Sequence, residues 1–154
     1  RAKDREYSKK NYVPKKRQLK IKTFSDIINL NLRKNVSNAI RKILKNNNSN
    51  KKNSSCMNYI PFTLEELKQH LESKFESWMT WENWGMYNSK KWDDNDASTW
   101  RWQLDHIIPQ SKLSYINMND ENFQKCWTLE NLRPYSAKLN VIEGARLKRK
   151  GQYE

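Results

Sequence analysis

The chain has 154 residues, with 30 Lys and Arg against 17 Asp and Glu, a formal net charge of +13, and 36% hydrophobic residues. That length suits one catalytic domain with an appendage, and the low apolar content allows only a small core, to which seven Trp and seven Tyr bring large side chains. Two Cys and two His without a CxxC pair exclude a structural zinc site, and no apolar run is long enough to span a bilayer, so a reduced, intracellular protein is expected.

The charge is uneven. Residues 1–52 hold 17 of the basic residues but only three acids, Asp4, Glu6 and Asp26, whereas residues 53–154 are close to neutral. Such crowding of like charge calls for a polyanion, and nucleic acid is the usual one. Residues 1–22 are basic and unpatterned, which reads as a tail or as an extended arm that orders along a phosphate backbone. Over residues 24–45, Ile28, Leu32, Val36, Ala39, Ile40 and Ile43 recur at helical spacing and predict an amphipathic helix. Arg33, Lys34, Arg41, Lys42 and Lys45 on that helix are candidate nucleic-acid contacts. Residues 45–55 are polar and low in complexity, a linker or loop.

Thr63 and Glu66 form a capping-box pattern, with Phe62 and Leu67 as a hydrophobic staple, and start a second helix. Leu64, Leu67, Leu71, Phe75 and Trp78 make its buried stripe, and His70 at the edge reads as a packing or surface residue. Trp78, Trp81 and Trp84 read as a lid on the core rather than as a base-stacking platform. Residues 87–98 are a polar insertion. Its acids Asp93, Asp94 and Asp96 lack the glycine and distal glutamate of a calcium loop. Residues 99–105 alternate and predict a strand, with Trp100, Trp102 and Leu104 on one face. Phe123 to Cys126 reads as a helical turn and Trp127 to Leu132 as a second strand. Pro134 is placed to open a helix that runs through Asn140 to about Gly144. The chain thus divides into a basic arm and helix at 1–52, a helix with Trp-rich segment and insertion at 56–98, and a third unit at 99–150.

Asp105 and His106 stand side by side at a strand end. With them go Asn131-Leu132-Arg133-Pro134 and Asn140 nine residues after Asn131. Together with the basic helix, the Thr63 to Phe75 helix and the Met79 to Gly85 segment, this ordered set resembles the HNH endonucleases, also called ββα-metal or His-Me finger nucleases. The likeness is greatest to the homing-type HNH proteins of phages and large viruses, and it covers about residues 30–145.

The resemblance implies an α+β fold with a ββα-metal core behind N-terminal helices and a basic extended arm. It implies a hydrolase that cuts DNA, more readily than RNA, at phosphodiester bonds. Asp105 and Asn140 would hold Mg2+ or Mn2+ through oxygen, His106 would be the general base, and Asn131 would hold the loop and orient His106 through a hydrogen bond. Arg101, Arg133 and Lys138 are further candidates for phosphate contact. A virus-encoded or organellar origin fits the same resemblance. Glu143 departs from the pattern, since a carboxylate there repels phosphate. It motivates a second reading, a catalytically retired HNH-fold protein serving as a structural DNA- or RNA-binding part of a larger nucleoprotein assembly, such as a ribosome or virion.

Overall fold

A computed structural model describes residues 23–151. The basic arm at 1–22 lies outside the described residues. The fold is mixed, with four α-helices and one two-stranded sheet among the described residues, an α+β architecture.

Helix α1 spans Phe24–Asn46. Thr23 caps it: its hydroxyl accepts from the Asp26 backbone N–H, while the Asp26 carboxylate accepts from the Thr23 N–H. Ile28, Leu32, Val36, Ile40 and Leu44, four residues apart, form the buried stripe; Ala39 and Ile43 are only partly buried at its margin. At the far end the Asn47 side-chain amide donates to Ser114 Oγ (2.9 Å) and to the Tyr115 carbonyl (3.0 Å), which fastens the helix to the loop before α3.

Helix α2, Leu64–Ser73, starts with the reciprocal Thr63–Glu66 bonds (3.1 and 2.7 Å) and buries Leu67 and Leu71. It stops short of Phe75 and Trp78, which pack against the core from the following turns. His70 Nε2 lies 2.8 Å from the Leu132 carbonyl, so this histidine ties α2 to the sheet.

Strand β1 is Trp102–His106 and strand β2 is Leu132–Ser136, antiparallel, with Asp105 opposite Arg133 and His106 opposite Leu132. Helix α3, Glu121–Cys126, lies between them in sequence, and helix α4, Ala137–Gly151, follows β2 directly. Four expectations are corrected here. The first strand begins at Trp102 rather than at residue 99, because Trp100 belongs to the folded insertion: its indole N–H donates to the Asp93 carbonyl. The second strand lies five residues later than the apolar pattern of Trp127 to Leu132 indicates. Leu129–Asn131 form a 3-10 turn instead. Pro134 sits within β2 and not in the helix; β2 is an edge strand, where a missing N–H is tolerated. The helix then passes Gly144 and reaches Gly151.

Trp102, fully buried, is the centre of the aromatic cluster. It stacks on Trp84 (16° between planes), meets Trp81 and Phe75 at steep angles, and donates from its indole to the Thr80 carbonyl at 2.6 Å. Segment 83–85 runs beside the start of β1 as a single parallel bridge, with Gly85 N–H donating to the Trp102 carbonyl. Beyond that bridge the outer edge of β1 carries no backbone partner among the described residues. Residues of α1, α2, α3, the Trp segment and both strands share one hydrophobic core.

Candidate active site and nucleic-acid interface

Period-two alternation splits β1 into two faces. Trp102, Leu104 and His106 look into the core side, with Leu132 opposite His106. Gln103 and Asp105 look toward α4, with Tyr135 and Arg133 opposite. Asp105 and His106, neighbours in sequence, therefore project from opposite faces of the same strand end.

On the α4 face, Arg133 Nε donates to Asp105 Oδ2 at 2.8 Å, and its guanidinium lies 3.9 Å from the centre of the Tyr135 ring. Burial raises the Asp105 carboxyl above its ordinary range and outweighs the opposing pull of Arg133. Glu143, one turn beyond Asn140 on α4, accepts from the Tyr135 hydroxyl at 2.6 Å and lies 3.9 Å from Arg133. The departure at Glu143 is thus partly neutralised by Arg133 rather than left as a free negative charge. Asn140 donates through Nδ2 to Gln103 Oε1 at 2.9 Å, which places it over β1 two positions from Asp105.

The His106 ring packs edge-on against buried Trp127 at 4.5 Å between centres. Its Nε2 is enclosed and has no hydrogen-bond partner among the described residues. Burial lowers its pKa to about 4, so the ring is neutral at pH 7.

Asn131 is buried and its amide is fully used. Oδ1 accepts from the Ile108 N–H (2.8 Å), and Nδ2 donates to the carbonyls of Ile108 (3.3 Å) and Cys126 (3.0 Å). The Asn131 carbonyl also accepts from the Ile107 N–H. Asn131 therefore fastens the loop that leaves His106 but makes no bond to the imidazole itself, a correction to the direct contact expected.

The candidate phosphate contacts separate into two groups. Arg133 and Lys138 are already engaged: Lys138 Nζ lies 2.6 Å from both oxygens of Asp94, which docks the 87–98 insertion on the first turn of α4. Arg101 donates to its neighbour's carbonyl and lines a cleft with Lys91. By contrast Arg33, Lys34, Arg41, Lys42 and Lys45 are exposed on α1 with no carboxylate partner among the described residues. Gln103 and Tyr135 escape sequence reading, as does the bond between Tyr135 and Glu143. Only Gln103 carries a signal for it, its two-residue spacing from Asp105 on one strand face.

The oxygens that could hold a cation here are those of the Asp105 carboxylate, which already accepts from Arg133, and the Asn140 side-chain carbonyl, which has no protein partner among the described residues. Among the described residues no group of three or more His, Cys, Asp or Glu gathers. An ion with so few protein ligands is one that retains waters, as magnesium does.

No family model and no solved structure matches the chain. It is similar to an uncharacterized protein of Acanthamoeba polyphaga mimivirus, 25% identical over 120 residues, which cover 78% of this chain and 44% of that relative. The chain thus spans less than half the length of that viral protein. Among the described residues no helix is long and apolar enough to cross a membrane.

Proposed function

We propose that this protein is a metal-dependent HNH endonuclease acting on DNA. The observation that carries the reading is the ββα unit formed by β1, β2 and α4, with Asp105 and His106 at the end of β1 and Asn140 on the helix bonded to the Asp105 face. The uncovered outer edge of β1 supports it further. A cleft of about 310 Å³, lined by Asn35, Gly85, Met86, Gln103 and Leu104, runs along that edge. In this reading a phosphodiester lies along the open edge, near the strand end that carries Asp105 and His106.

In this reading Asp105 and Asn140 hold Mg2+ or Mn2+. The bound ion supplies polarisation of the scissile phosphate and offsets charge on the leaving oxygen. His106 is neutral at pH 7 and takes the proton of the attacking water. This is the general-base role. Asn131 keeps the loop at Ile107 and Ile108 closed behind the histidine. Arg133 holds Asp105 in place on the strand face.

One observation favours a second reading, a retired nuclease retained as a DNA- or RNA-binding component of a nucleoprotein assembly. Arg133 already provides a cation at the Asp105 carboxylate, 2.8 Å away. Both readings keep the basic helix α1 as a nucleic-acid surface. The mimivirus relative is compatible with either.

The test is supercoiled plasmid incubated with the purified chain and magnesium, manganese or chelator, alongside His106→Ala. Nicking or linearisation that needs metal and is lost in His106→Ala establishes the nuclease. Tight binding without cutting under either metal sinks the nuclease and leaves the structural reading.

A further inference from the structure

Away from the sheet, helix α1 and the loop that follows it enclose a second concavity. Arg33, Ser37 and Arg41 lie along one edge of α1, and the 47–55 loop folds back to bring Lys51 and Lys52 over them. The Lys51 ammonium donates to Ser37 Oγ at 2.6 Å, so its charge is fixed over the helix rather than left in solvent. Asn48, Lys52 and Asn53 all have positive φ (54°, 48° and 62°), and these tight left-handed steps curl the loop into a cup.

The cup is an open cleft of about 710 Å³, within the size range of ligand sites, yet its lining is polar and cationic instead of apolar. Four cations face it, and none has a carboxylate partner among the described residues. Burial lowers the Lys51 pKa; the Cys56 sulfur opposes this and the nearby Arg41 charge adds to it. Such crowding costs energy unless an anion occupies the cup.

We propose that this cup is a phosphate-binding site, in which Arg41 and Lys51 grip the anion and Arg33 and Lys52 flank it. The ligand is a phosphate group, presented by a nucleic-acid backbone or by a free oligophosphate. Guanidinium and ammonium donors with serine and asparagine amides and hydroxyls match phosphate oxygens. The site needs neither metal nor His106, so it stands or falls apart from the nuclease reading.

The experiment titrates the full chain with sodium tripolyphosphate and with a short DNA duplex by calorimetry. Arg41→Gln/Lys51→Gln is compared with Lys74→Gln/Lys148→Gln, which removes the same charge from exposed positions outside the cup. The expected result is saturable binding of one tripolyphosphate per chain, weakened roughly tenfold in the cup variant and by under about twofold in the control. A parallel, selective loss of duplex affinity identifies the nucleic-acid backbone as the source. Equal duplex affinity in both variants identifies a free oligophosphate. Unsaturable tripolyphosphate binding, or equal losses in both variants, overturns the proposal in favour of diffuse charge. If thermal melting shows that the cup variant does not fold, Arg33→Gln/Lys52→Gln, both exposed, replaces it under the same criteria.

Discussion

At the residue scale, His106 is the most informative side chain. Enclosure against Trp127 holds its folded pKa near 4, against about 6.5 when unfolded. Above pH 6.5 the ring is neutral in both states and adds no pH dependence. As pH falls from 6.5 toward 4, the unfolded chain binds a proton that the folded chain refuses. Stability is therefore lost across that window, by up to about 3 kcal/mol, and levels off below it. Urea unfolding between pH 4 and pH 7.5, with His106→Gln as reference, checks this. Parallel curves for the two proteins defeat the assignment. Asn131 makes a different prediction. Asn131→Leu leaves the Ile108 N–H and the Cys126 carbonyl without their partners, a cost of about 1–3 kcal/mol. Faster amide exchange at Ile108 than in the parent is the diagnostic reading, and unchanged exchange there refutes the loop-fastening role.

At the element scale, local rules were legible and tertiary ones were not. The Thr63–Glu66 box declares α2 because both bonds close within four residues. Its counterpart at Thr23 uses Asp26, a shorter acid that matches the usual pattern less well, and passes unseen. The stripe of α1, Leu44 included, follows the four-residue spacing, but the pinning of the helix end by Asn47 to Tyr115, a partner far off in sequence, does not. Trp127 to Leu132 resembles a strand by composition. Asn131 turns it into a 3-10 turn by reaching for Ile108 and Cys126, which no spacing reveals. The site shows the same division: Asp105, His106, Asn131 and Asn140 stand out as residue types, while Gln103, Arg133 and Glu143 become partners only through the register of β1 with β2 and α4. Helix α4 offers a direct test of helical continuity past Gly144. A methyl group there meets nothing within 4 Å, so Gly144→Ala is expected to stabilise by about 0.5–1 kcal/mol through helix propensity. A lower melting temperature in this variant contradicts an unbroken, exposed helix at that position.

At the scale of the whole molecule, charge and core are arranged separately. The core gathers side chains from α1 through β2, whereas the excess positive charge lies in residues 1–52. Helix α1 joins the two, with its stripe in the core and its cations outward. Residues 1–22 alone hold ten Lys and Arg against Asp4 and Glu6, while the Thr23 cap of α1 and the core described above are built from residues 23–151. A chain starting at Thr23 is therefore expected to fold normally but to bind DNA more weakly, with the larger difference at low salt. The slope of log affinity against log salt counts phosphates neutralised, at about 0.9 per contact on duplex DNA. Deleting an arm that touches several phosphates flattens it by several such steps. Fluorescence anisotropy over a salt series, on full-length and shortened chains, measures both slopes. An equal slope with weaker binding removes the arm from the phosphate backbone and leaves α1 and its adjoining loop as the source of the salt dependence.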